Sequence, residues 1–245
     1  MNDRVGPSED SSVGLTKGAP NFPIKIDGKV SVELYEGPVK MFTDDKGFTH
    51  NFSDLCSKSV EEISQLFSTI HQGFESRSEN IEQGFVEFFG LFLRPANLVQ
   101  LVRKNNTVTT NGKNTVAAAM ADETITVAPK NPTGIQVGLG STAAAVGDTG
   151  VQTRAVDTAD DFKIFLTTPT TYPDRTNNVV QWKSEFDANS CPSEALTEAV
   201  LCSAAHAGNG GSQGTSGDAI SRIVFSTINK GTNDTLNIQF QWTFN

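Results

Sequence analysis

The closing stretch of the chain constrains its fold more than any other. In TLNIQFQWTF, Leu236, Ile238, Phe240, Trp242 and Phe244 alternate with Thr235, Asn237, Gln239, Gln241 and Thr243. Successive side chains of a strand point to opposite faces, so a period of two held this long specifies a β-strand with one apolar and one polar face. Such a strand needs a sheet around it and a second layer against its apolar face. The expectation is a half-buried strand in a layered β-domain.

Other segments support that domain. ISRIVFSTI (220–228) precedes the closing strand across NKGTND, and the two are expected to pair as an antiparallel hairpin. FKIFL (162–166) reads as a short strand. In VVQWKSEF, Val180, Trp182 and Phe186 face one way, and Gln181, Lys183 and Glu185 the other. From about residue 107 the composition shifts to Thr, Asn, Gly, Ala and Val, so 107–245 is assigned to an antiparallel β-sandwich or jelly-roll-like domain. SEALTEAVLCSAA (193–205) is a helix by propensity but lies among strands, a conflict the residues alone leave open.

The first half reads differently. Residues 1–22 are polar and rich in Gly, Pro, Ser and Asp, as in a flexible arm. Ile24 and Ile26 precede Asp27-Gly28, and Val30, Val32 and Leu34 follow it in alternation, which predicts a short hairpin. Residues 1–50 are therefore assigned to an arm with a hairpin, and 51–106 to a helical segment. Its first helix has a capping box at Ser59 and Glu62, with Ile63, Phe67, Ile70 and Phe74 at helical spacing and His71 on the same helix. A second carries Ile81, Phe85, Phe88 or Phe89 and Phe92 and ends before Pro95, although Gly84 and Gly90 weaken it. These phenylalanines read as core or subunit packing.

Charge and composition set aside several partners. A net charge of −9 disfavours a nucleic-acid backbone. No apolar run approaches the roughly 18 residues of a membrane span; FVEFFGLFL is broken by Glu87 and Gly90. The N-terminus lacks the apolar core of a secretory signal, and Cys56, Cys191 and Cys202 read as reduced thiols of a chain made in a cytoplasm.

VGLGSTAAAVGDTGV (137–151) has the clustered glycines, Ser-Thr pair and acid of a phosphate loop. A P-loop needs a lysine after its glycines and a dinucleotide fingerprint needs a third glycine at fixed spacing; both are missing. A serine hydrolase needs a nucleophile elbow and a histidine base. Neither glycine-rich stretch offers the elbow, and of the three histidines, His50, His71 and His206, the last two read as solvated side chains rather than bases. Cys191 and Cys202 lack zinc spacing. Asp160 and Asp161, adjacent on an expected strand, would face opposite ways and could not flank one bond. The expectation is a non-enzyme with no catalytic, cofactor or metal residues. Gly138 and Gly140 then serve a tight backbone path, and Asp148 and Thr149 bond the backbone of their own loop. AGNGGSQGTSGD (207–218) is read as a solvated connection in preference to a contact surface.

IQVGLGSTAAAVGDTGVQ resembles a pattern of tailed-bacteriophage virion proteins, V-G-x-G-[ST]-T-A-P-A-x-x-D-T-x-L. That pattern is followed by a Trp- or Phe-bearing strand, T-E-A-x-L-F, and a closing R-x-x-F, I-N-K-G, D-T-L and T-F. The counterparts here are VVQWKSEF, LTEAVLCSAA and SRIVFSTINKGTNDTLNIQFQWTF. The resemblance covers roughly the C-terminal half. Ala144 departs from it where the family has proline, and so does Gly150.

The resemblance implies a structural part of a virion, made in the host cytoplasm, homo-oligomeric and trimeric, with capsid or tail proteins as partners. It also implies that LTEAVLCSA is a strand. Within the particle a head decoration (cement) or attached accessory role is preferred. The alternatives are a collar, tail or baseplate/fibre component, or a module binding host-surface carbohydrate. Ile24, Ile26, Val30, Val32 and Leu34 are the expected anchors to the particle or to neighbouring subunits.

Overall fold

A computed structural model describes residues 25–67, 71–72, 86–88, 91–120, 131–155, 159–168, 170–192, 194–203 and 219–245. In chain order the strands of the first half are β1 (Ile26–Tyr35), β2 (Met41–Thr43), β3 (Thr49–Asn51), β4 (His71–Gln72), β5 (Val86–Phe88), β6 (Leu91–Leu93), β7 (Leu98–Asn105) and β8 (Thr107–Val108). Those of the second half are β9 (Gly134–Gly138), β10 (Phe162–Ile164), β11 (Asp174–Thr176), β12 (Val179–Phe186), β13 (Glu194–Cys202), β14 (Ala219–Lys230) and β15 (Thr235–Phe244). The α-helices are α1 (Phe52–Cys56), α2 (Val60–Leu66) and α3 (Thr110–Met120).

The fold is mainly β, and its body is a sandwich of two five-stranded antiparallel sheets, β11-β12-β15-β1-β7 and β10-β9-β13-β14-β8. Their facing side chains form one core. The first sheet supplies Val30, Val32, Trp182, Ile238 and Phe240, and the second Ile135, Val137, Leu201, Ile223 and Phe225. β13 is a strand, as the resemblance implies and helix propensity does not, because Ala199 and Leu201 alternate into that core.

Four expectations are corrected. β14 and β15 are not a hairpin: β14 pairs with β13 and β8, β15 with β1 and β12, and the turn between them crosses from one sheet to the other. Asp27-Gly28 is not a turn. β1 runs straight through it, pairing Asp27 with Thr243 and Gly28 with Trp242 in a register from Ile26–Phe244 to Tyr35–Thr235. Ten consecutive partners on β15 outweigh a local turn preference. β15 is buried on both faces rather than one, since Asn237, Gln239 and Gln241 are buried along with the apolar row, while Phe244 at its end is only partly buried. Finally, the sandwich does not begin at residue 107: β1 and β7 are integral strands of its first sheet, and α3 stands where only strands were expected.

β1 and β7 are antiparallel neighbours, and the described residues of the stretch between them form an inserted lobe with a core of its own. Its helices start as their sequence dictates. Ser59 accepts from the Glu62 N–H and Glu62 reaches back to the Ser59 N–H, closing the predicted capping box. Ile63 and Phe67 pack with Phe42, Leu55 and Leu93 in a separate small core. The rest of the expected helical segment is corrected: His71 lies on β4, and the stretch assigned to a second helix contains β5 and β6. Ile70, Phe74, Ile81 and Phe85 lie outside the described residues, as do residues 1–24 and the 207–218 stretch.

Candidate functional site

The 137–151 loop folds over the outer face of the second sheet, and what it covers is ionic. Glu198 of β13 and Arg222 of β14 both point to that face and both are fully buried. Arg222 donates from Nε to Glu198 Oε2 at 2.8 Å and pairs through a second nitrogen with the same oxygen at 2.8 Å. Its remaining donors reach Asp148 Oδ2 at 2.8 Å and the Thr142 carbonyl at 3.1 Å. The guanidinium is thus held by two carboxylates and a carbonyl, with its planar fork matched to acceptors in fixed positions.

Glu198 also organises the loop's backbone. It accepts from the Gly140 N–H at 2.8 Å, the Gln152 N–H at 2.9 Å and the Thr153 N–H at 3.0 Å. Asp148 accepts from the Ala145 N–H at 2.8 Å. Gly138 lies directly opposite Glu198 in the sheet register. A Cβ there would sit 2.6 Å from Glu198 Oε1, and one on Gly140 would sit 2.4 Å from the same atom. The two glycines therefore leave the space into which the carboxylate fits. The expectation that Asp148 bonds its own loop holds, but its stronger partner, Arg222, was not anticipated. Ser141, in the position a phosphate loop would use, is exposed.

The signal that could have revealed this network is one acid in LTEAVLC and one base in ISRIVF, each with an apolar residue two positions away on either side. Two oppositely charged residues with no solvated face point to each other. The loop's glycines then mark where backbone meets them.

A second ion pair, with its carboxylate buried and its guanidinium partly so, extends the same face. Arg154 grips Asp161 with two 2.7 Å bonds, and Gln136 of β9 donates to Asp161 at 3.1 Å. Asp160 and Asp161 lie on a single 3-10 turn (Ala159–Asp161), not a strand; Asp160 is exposed and Asp161 buried. The closing motif has its own logic: Asp234 accepts from the Gly231 N–H at 2.8 Å and shapes the crossover turn before β15.

The polar face of β15 meets the neck of the inserted lobe. Lys40 is buried there, with its Nζ 5.3 Å from the Tyr35 ring centroid, 5.4 Å from that of Phe52 and 3.9 Å from Glu185 Oε2. With the Asn237 amide oriented to match its neighbours, its nitrogen donates to Glu185 Oε2 at 3.1 Å and its oxygen accepts from Lys40 Nζ at 3.2 Å. Burial, with Lys183 close by, pulls the Lys40 ammonium down to about 8 against the pull of Glu33 and Glu185. Burial would raise Glu33, but Lys183 and Lys40 outweigh it and hold its carboxyl below the ordinary value. Tyr35 donates to Glu33 at 2.6 Å. Asn97 closes the neck, donating to the Glu36 and Val39 carbonyls at 2.6 and 2.9 Å and accepting from the Met41 N–H at 2.8 Å.

The expected anchors sit elsewhere. Val30, Val32 and Leu34 point into the sandwich core and Ile26 packs at its margin, so these side chains already have partners within the chain; Ile24 lies outside the described residues. The predicted hairpin arm therefore does not place them on a free surface. Cys191 and Cys202 are buried and Cys56 half-buried, all as free thiols. His50 bonds Asp44 at 2.9 Å. Among the described residues no helix is long and apolar enough to cross a membrane and no group of three or more His, Cys, Asp or Glu side chains could hold a metal. No protein-family model, curated protein or solved structure matches the chain.

Proposed function

We propose that the chain is a structural component of a tailed-bacteriophage particle, working as a homo-oligomer, with a head-decoration or attached accessory role preferred. One observation carries this reading. Gly138, Gly140, Asp148, Glu198 and Arg222 come from three separate pieces of the sequence pattern that resembles virion proteins, and they converge in one buried network. A pattern of that kind specifies how a loop is tied to a sheet. Both Glu198 oxygens accept from the loop backbone or from Arg222, which suits a carboxylate that ties a loop to a sheet.

Cryo-electron microscopy of purified particles, with copy number from quantitative mass spectrometry, tests the reading. Density that accepts the sandwich and its lobe supports it. Hundreds of copies fit decoration of the head, whereas roughly six to a few dozen, the multiplicity of ring symmetries, fit a collar or tail position. Particles of complete composition that lack the chain would overturn it.

A further inference from the structure

Lys40, Asn237 and Glu185 bring together an amine, a carboxamide and a carboxylate at the neck of the lobe. The amine's Nζ lies 3.2 Å from the carboxamide oxygen, and the carboxylate takes a 3.1 Å bond from the carboxamide nitrogen, the group that would leave. Lys40 and Asn237 are buried, and the rings of Tyr35 and Phe52 flank the ammonium. We propose that Lys40 and Asn237 are joined by an intramolecular isopeptide bond, with Glu185 carrying the protons.

The chemistry needs no oxidant or cofactor. Lys40 gives a proton to Glu185 and becomes a neutral amine. Its Nζ attacks Asn237 Cγ, forming the Nζ–Cγ bond and a tetrahedral centre. Glu185 returns that proton to Nδ2 and takes the second proton from Nζ as the Cγ–Nδ2 bond breaks; ammonia leaves and carries this last proton away from Glu185 as ammonium. A primary amine and a carboxamide become a secondary amide and ammonia, with no change of oxidation state. Fixed proximity makes an otherwise slow aminolysis effectively unimolecular. A positioned carboxylate lowers its proton-transfer barriers.

The surroundings fit each step. Burial of Lys40 weakens its hold on the proton, which favours the nucleophilic form near neutral pH. From β1 the groups facing it are Glu33 and Tyr35, from β12 Lys183 and Glu185, from β15 Asn237, and from α1 Phe52 and Cys56. Lys183 lies 3.9 Å from Glu33, so that buried carboxylate keeps a cation when Lys40 loses its charge. The bond would fasten the lobe's neck to the closing strand and enclose most of the chain in one covalent loop, restricting the unfolded state as a disulfide does.

Mass spectrometry of the full-length chain, held folded at about pH 8 and then denatured and digested with trypsin, tests this. The intact mass is expected to be lower than the sequence mass by one ammonia. Cleavage after Lys40 is expected to be lost, with the fragment 231–245 joined through Asn237 to the fragment that contains Lys40. Lys40→Arg and Asn237→Ala should restore the full mass. Glu185→Gln, which keeps the shape, should slow linkage at least tenfold in a chain that stays folded by circular dichroism. Separate, linear Lys40 and Asn237 peptides from the wild type would overturn the proposal, as would an ammonia loss that maps to a succinimide at Asn111-Gly112. Linkage at an unchanged rate in Glu185→Gln would overturn the role of Glu185.

Discussion

Replacing Glu198 by Gln is the sharpest perturbation of the buried network, because it alters charge and donor pattern while preserving volume. One carboxylate oxygen becomes an NH2 that must face the N–H groups of Gly140, Gln152 and Thr153 or the guanidinium of Arg222. Arg222 is left buried with only Asp148 as counter-charge. Removing one partner of a buried ion pair typically costs about 3–5 kcal/mol. Losing two hydrogen bonds to a charged group, at about 1.5–3 kcal/mol each, gives a similar figure. For a chain of this size that lowers the melting temperature by roughly 6–20 °C. Urea unfolding followed by tryptophan fluorescence measures it, since Trp182 and Trp242 pack in the core at 5.2 Å between ring centroids. Amide exchange at Gly140, Gln152 and Thr153 should also rise. A cycle with Arg222→Met should show strong coupling. A Glu198→Gln variant within about 0.5 kcal/mol of wild type, or additive single and double variants, would refute the network's role.

Phe240→Ala should cost about 3–5 kcal/mol in denaturant unfolding, as a core phenylalanine does. Gln241→Ala, on the polar face, should also cost about 1–3 kcal/mol by stranding the Gln181 amide that donates to it at 3.0 Å; a neutral result would show that face to be solvated. Gly140→Ala should destabilise by more than about 2 kcal/mol, because its Cβ would overlap the Glu198 carboxylate, while Ser141→Ala at the exposed neighbouring position should be near neutral by thermal melts. Burial and the nearby Asp161 push the Cys191 thiol up to about 12, so the folded chain keeps a proton that the unfolded chain releases near pH 9. Stability should therefore fall as pH rises from about 9 to about 12, with a shallower fall in Cys191→Ala. Alkylation of the native chain at pH 8 should mark half-buried Cys56 ahead of Cys191 and Cys202.

How far the sequence could be read depended on whether a signal was local. The period of β15 and the capping box at Ser59 and Glu62 depend on neighbours a few residues apart, and both were legible. Alternation says which residues share a face but not what covers it, so the lobe and polar partners burying Asn237 and Gln239 were not foreseen. Sequence adjacency suggested a β14–β15 hairpin, yet each strand had an apolar row to bury, and the two rows meet by lying in opposite sheets. Asp27-Gly28 carried a turn signal that pairing along the whole of β15 overrode. Within the loop, the glycines correctly indicated a constrained path. The cause of the constraint lay 58 residues on from Gly140, at Glu198, and the cation opposing it lay 74 residues from Asp148. Pairings at such separations are set by strand order, which no short window of sequence contains.

Sedimentation of phage particles offers the most direct measurement of the central claim. If the proposed reading holds, a phage encodes the chain; lysate from its infected host is banded on a density gradient, and each fraction is assayed for infectivity and for the chain by quantitative mass spectrometry. The structural reading predicts that the chain follows infectivity across the band at a constant ratio to the major capsid protein. A chain that stays in the soluble fractions while infectious particles band without it would contradict that reading.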